Sequence, residues 1–160
     1  MTKFLLAVHV LAAIVAVGPV TVAASLFPPT ARKALAGPGA SRHHLALLYR
    51  VCRVYAVVGV VVPVFGFATA RNMGVLGDTW LIVSIVLTAL AAVVLAALVL
   101  PWQGRILEGI DEGDGGNGGH GGTVGERATV RLAMVTGVFN LLWAAVTVLM
   151  IVRPGSTTGA

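Results

Sequence analysis

The chain has 160 residues, 58% hydrophobic and 11% charged, against about 45–50% and about 25% in soluble domains. That excess of apolar surface is more than a soluble core of this length can bury, so an ordinary soluble globular domain is excluded. The net charge of +5 does not point to nucleic acid, because the basic residues sit at the ends of apolar runs, where they set topology and meet anionic lipid.

The first apolar run extends from Phe4 to Leu26. Lys3 precedes it and Val22-Ala23-Ala24 resembles a cleavage site. The run is nevertheless longer than the usual apolar core of a signal peptide, and it reads as a retained transmembrane helix. Gly18-Pro19 inside it removes a backbone hydrogen bond and predicts a kink, and Pro28-Pro29 is expected to end the helix.

The second run is Val54 to Ala70, with an amphipathic lead-in that starts at Ser41, a good N-cap residue. Arg42, Tyr49, Arg50 and Arg53 fall near one face of the lead-in, while Leu45, Leu47 and Leu48 supply apolar surface. This pattern predicts a helix in the headgroup layer, with Arg42, Arg50 and Arg53 against lipid phosphates. Pro63 is expected to interrupt the span, and Gly59 and Gly66 share a face.

The third run lies between Trp80 and Trp102, about 33 Å apart on a helix, the spacing of two aromatic belts. Ser84, Thr88, Ala92 and Ala96 recur every fourth residue, a small-residue stripe expected to point into the bundle. The fourth run, Thr129 to Val152, holds a second stripe of Thr136, Asn140 and Ala144, also expected inside.

Residues 103–128 join the last two runs, and the stretch from Gly109 to Gly125 holds nine glycines with Asp111, Glu112, Asp114, Asn117 and His120. Its acids fit no EF-hand or glycine-rich calcium repeat, and it reads as a flexible linker. The fold expected is an all-α membrane protein: four transmembrane helices (4–26, 54–70, 80–102 and 129–152) in an up-down bundle within residues 1–154, then a polar tail at 155–160. Lys3, Arg71 and Arg153 mark one membrane face and the other eight Lys and Arg the opposite face. The positive-inside rule places both loops of that second face in the cytoplasm and both termini outside.

Candidate chemistry is sparse. Cys52 is the single cysteine, which rules out an internal disulfide, and with His43, His44 and His120 it makes no zinc spacing; no metal site is expected. His43 and His44 beside Arg42 read as topology signal and lipid contact. His9 is the one ionisable residue well inside a span. Such residues point to a haem ligand, a proton relay or a quinone or ion contact, and otherwise to a neutral imidazole bonded to a neighbouring helix. Haem held between helices usually takes two axial side chains at one depth, and His43 and His44 lie at the far face; Met150, or a second copy's His9, is what remains. Helix rise puts His9 about 9 Å from the outer end of its span, with Ser84 at about 6 Å, Thr88 at about 12 Å and Thr147 at about 9 Å. A polar layer of His9, Ser84, Thr88 and Thr147 is therefore expected, with the imidazole bonded to one of the three hydroxyls.

The strings Val8-His9-Val10-Leu11-Ala12-Ala13 and Val17-Gly18-Pro19-Val20-Thr21-Val22-Ala23-Ala24-Ser25-Leu26-Phe27-Pro28 form one part of a wider pattern. Tyr55-Ala56-Val57-Val58-Gly59, Val62-Pro63-Val64-Phe65-Gly66, Gly77-Asp78-Thr79-Trp80-Leu81-Ile82-Val83-Ser84 and Leu100-Pro101 complete it. Together they resemble a family of small bacterial integral membrane proteins of unknown function, common in actinobacteria. The resemblance implies four membrane helices and no activity. More remotely, a histidine early in the first span, followed by a glycine half a helix later, is similar to copper-resistance and haem-binding bundle proteins, which usually bring further histidines inside later spans; the later spans here hold none. With no nucleophile and base pair and no intramembrane carboxylate, the expected function is a non-enzymatic structural or accessory partner of a membrane assembly. Its partners would be the bilayer and other membrane subunits or a second copy. A haem-binding or redox-linked protein using His9 is the alternative, and a small transporter or channel ranks third.

Overall fold

The computed structural model describes residues 2–36, 41–113 and 121–155, and in 2, 41, 111–113 and 121–125 the backbone alone. Helix α1 spans Thr2–Leu35, α2 Ser41–Gly59, α3 Val61–Met73, α4 Thr79–Val93, α5 Leu100–Gly113 and α6 Gly121–Val152; a π-helical turn, Val94–Val99, joins α4 to α5. In space these make four rods: α1, α2 with α3, α4 with α5, and α6. The first packs on the second, the third on the fourth, and contacts of α1 with α6 and of α2 with α5 close the ring.

All four rods are long and apolar enough to cross a membrane. Their outer surfaces are apolar: Phe4 is 72% exposed, Leu141 72% and Ile151 74%. Surface of that kind is stable against lipid tails and costly against water. The chain is a multi-pass integral membrane protein with an up-down four-helix bundle.

Prolines shape the rods without ending them where local rules expect. Helix α1 continues through Pro19, Pro28 and Pro29 to Leu35, which corrects the expected stop at Pro28-Pro29. Proline's fixed φ is itself helical, so its cost is a lost hydrogen bond and crowding of the carbonyl four residues back. Packing offsets that cost here, because Phe27 and Ala31, on either side of the prolines, are wholly buried. In the second rod the break falls at Val60, three residues before Pro63. Pro63 cannot donate to Gly59, the chain turns there with a bond from Val60 N–H to the Val57 carbonyl (3.1 Å), and Pro63 sits in the first turn of the new helix, where a missing N–H is cheap. Pro101 acts similarly in the third rod. It has no N–H for Ala97, and the turn before it widens so that the Leu100 N–H reaches back to Leu95.

Glycine ends α3 in the usual way. Gly74 takes φ +70°, and the Val75 N–H returns to the Ala70 carbonyl at 3.2 Å. The end of the bundle that holds Lys3, Arg71 and Arg153 is closed by Trp80, whose indole N–H donates to Asp78 Oδ2 at 3.0 Å and whose face carries the Arg153 guanidinium at 5.7 Å. Trp80 is thus buried, not part of an outward belt.

Two further corrections concern the arginine-rich end. The lead-in does not lie on the bilayer with its apolar side open, because Leu45 and Cys52 are fully buried in the same core as Ala31, Ile106 and Leu132. The lead-in packs as part of the bundle through Leu45 and Cys52, while Leu47 stays 53% exposed. The glycine-rich stretch enters as helix: α5 reaches Gly113 and α6 begins at Gly121, with Ile106, Leu107 and Ile110 anchoring the end of α5 against the core. Residues 114–120 of the expected linker, and 156–160 of the polar tail, lie outside the described residues.

Candidate functional site

In hydrocarbon no water satisfies a stray donor or acceptor, so each buried polar group of the bundle has to be accounted for. Three groups of them stand out.

The first surrounds His9, 8% exposed on α1. Its Nδ1 lies 3.1 Å from the Val62 carbonyl oxygen in the first turn of α3. A carbonyl only accepts, so Nδ1 carries the proton and donates. The ring lies against Gly66: a Cβ built there would stand 2.8 Å from His9 Cε1. Absence of that atom makes the seat for the imidazole. The three hydroxyls expected beside it donate elsewhere: Ser84 to the Trp80 carbonyl (2.8 Å), Thr88 to that of Ser84 (2.7 Å) and Thr147 to that of Trp143 (2.9 Å). Each hydroxyl is satisfied four residues back on its own helix, the cheapest bond open to a serine or threonine in a membrane helix. His9 therefore pairs with backbone, not with a hydroxyl.

The second group is Gln103 with Cys52. Gln103 is fully buried because the widened turn before Pro101 carries it to the inner face; its amide donates to Cys52 Sγ at 3.7 Å, and Oε1 has no partner.

The third lies between α1 and α6, where a groove of about 240 Å³ runs along Ser25, Pro29, Arg32, Thr136 and Asn140. The Asn140 amide donates to Ser25 Oγ at 3.0 Å. Asn140 Oδ1 and Thr136 Oγ1 are buried and have no partner among the described residues. Thr136 is 2% exposed and, unlike the other three hydroxyls, does not bond back into its own helix.

The small-residue stripes face differently from expectation. Thr136 is buried, but Ala92, Ala96 and Ala144 are exposed, and the inward face of the third rod is Ser84, Ala91, Leu95 and Val99. Strict four-residue spacing overshoots a 3.6-residue turn by about 40° per step, so three steps carry Ala96 about a third of the way round from Ser84. Of the residues expected at lipid headgroups, Arg50 and Arg53 are exposed, as is Arg42, and Arg53 lies 5.8 Å from the Tyr49 ring centre. His43 and His44 are exposed too.

Sequence reasoning missed Val62, Gly66, Ser25 and Gln103. A backbone carbonyl leaves no mark in sequence, and Ser25 looks like any tolerated serine. The signals available were Gly66 within a kinked span and Gln103 directly after Trp102. Among the described residues no three His, Cys, Asp or Glu side chains gather where they would hold a metal ion. No protein-family model, curated protein or solved structure matches the chain.

Proposed function

We propose that this chain is a non-enzymatic structural or accessory subunit of a bacterial plasma-membrane assembly, with both termini outside and the arginine-rich end in the cytoplasm. The observation that carries the reading is the outward placement of Ala89, Ala92 and Ala96. They recur at three and four residues on one face of the third rod, a strip of small side chains beside exposed Val86 and Val93. Lipid tails gain nothing from such a strip, whereas another membrane helix gains close backbone approach and dispersion contacts.

The test is purification in a mild detergent, with identification of co-purifying membrane proteins. A defined partner should be recovered with the unmodified chain and lost with an Ala92→Leu, Ala96→Leu variant of unchanged helicity. A lone protein, or a partner indifferent to the two leucines, would overturn the reading. The runner-up is a haem-linked protein using His9, favoured by the bond from Nδ1 to a carbonyl, which is how ligating imidazoles are commonly oriented. A near-stoichiometric haem absorbance band in the same preparation would put it first.

A further inference from the structure

We infer that Arg153, stacked on Trp80 just past the end of α6, forms a binding site for the phosphate of a membrane phospholipid. This goes beyond the subunit reading, because the site lies at the end of the bundle and draws nothing from the alanine strip.

Two contacts fix the guanidinium. Its Cζ stands 5.7 Å from the centre of the Trp80 ring, and Trp80 is itself buried, so the cation covers a largely dry aromatic face, where such a contact is strongest. The indole N–H donates to the Asp78 carboxylate, which makes the ring a richer partner for a cation. On its inner edge Nε donates to the Met150 carbonyl at 3.3 Å, one of the last carbonyls of α6, which have no helical donor of their own. Face and inner edge are therefore occupied. The two Nη groups make no hydrogen bond or ion pair among the described residues, Asp78 included, and the side chain is only half-buried.

The backbone carries strain to hold this residue in place. Among the described residues Arg153 is the one non-glycine with a positive φ, at +44°, and it precedes Pro154, which disfavours helical backbone in the residue before it. The left-handed turn that ends α3 is made by Gly74, the residue type that adopts it freely. At the end of α6 an arginine stands in that conformation. What the position supplies is thus the side chain, and strain of this kind marks sites where the surroundings dictate the conformation.

A guanidinium with its face stacked and Nε engaged offers its remaining donors as a flat pair, which matches two oxygens of one phosphate or carboxylate. Location favours the phosphate. Val148, Ile151 and Val152, on the last turns of α6, are each more than half exposed, and Arg153 follows directly after them, where lipid-facing surface gives way to the headgroup level. Lys3 and Arg71, at the same end of the bundle, add attraction for an anion. A phospholipid with its acyl chains along Val148 and Ile151 brings its phosphate to that height.

The experiment is native mass spectrometry of the full chain in detergent, with added phosphatidylglycerol, phosphatidylcholine, diacylglycerol of the same acyl chains, or inorganic phosphate. Both phospholipids should be retained over diacylglycerol, and millimolar phosphate should displace neither. Arg153→Gln should lower phospholipid retention by about tenfold or more, the size of one charge-assisted hydrogen bond. Arg153→Lys keeps the charge without the fork and should recover little of it. Lys3→Gln with Arg71→Gln should leave phosphatidylcholine retention intact. Equal retention of diacylglycerol and the phospholipids by the unmodified chain overturns the proposal whether or not any variant folds, and leaves a protein carboxylate as the fork's counterpart. Full recovery in Arg153→Lys, or an equal loss in the Lys3, Arg71 variant, also overturns it, since either would mean diffuse charge. So does displacement by phosphate, which would mean a simple anion site.

Discussion

His9 and Thr136 are both polar, both nine-tenths or more buried, and both on long apolar helices, yet their surroundings are opposite. His9 is matched inside the chain: a carbonyl of another rod accepts its proton and a glycine leaves room for its ring. Thr136 is matched by nothing among the described residues, and its neighbour Asn140 is matched there on one side only. The contrast separates two uses of polarity in a membrane. One holds helices together and is complete on folding; the other leaves buried polar atoms unmatched among the described residues.

The comparison breaks most readily at Gly66. A methyl group there would meet the imidazole at 2.8 Å, so Gly66→Ala should displace His9, break its bond to Val62 and cost about 1–3 kcal/mol, the usual penalty for overpacking. The double variant His9→Ala, Gly66→Ala should lose less than the sum of the two single changes, a coupling that thermal unfolding in detergent measures directly. Additive losses would mean the ring and the glycine are not in contact.

A smaller effect is expected at His9 itself. Interhelical hydrogen bonds in membranes average about 0.6 kcal/mol, so His9→Asn should lower stability by about that amount and leave the bundle intact. A loss several times larger would show that the imidazole does more than hold α1 to α3.

The smallest effect is the most telling for the contrast. Thr136→Val deletes a hydroxyl that makes no bond among the described residues and replaces it with a methyl of nearly the same shape. Stability in lipid-free detergent should change by less than about 0.5 kcal/mol, because no bond is lost and a desolvated hydroxyl is removed. A clear destabilisation would mean that Thr136 has an internal partner after all, and the two regions would no longer differ.

The four membrane rods were legible because apolar length is a property of composition and needs no tertiary information. The ends of the rods were not. Pro28 and Pro29 carry a strong local signal to stop, and the burial of Phe27 and Ala31 overrides it. The facing of the third rod was misread because a four-residue stripe drifts around a helix, and the widened turn at Val94–Val99 shifts the phase again. At the candidate sites, Asn140 and His9 stood out as polar residues in apolar runs. Their partners, the Ser25 hydroxyl and the Val62 carbonyl, are 115 and 53 residues away in the chain and are set by packing alone.

The claim that this bundle serves as a subunit, with its third rod turned toward a partner, is tested most directly by photocrosslinking in the native membrane. A photoreactive side chain placed at Ala92, which faces outward, is compared with one at the exposed Val57 on the second rod. The account predicts a discrete crosslinked species containing a second membrane protein from Ala92 and only lipid adducts from Val57. Lipid adducts alone from both positions would contradict it.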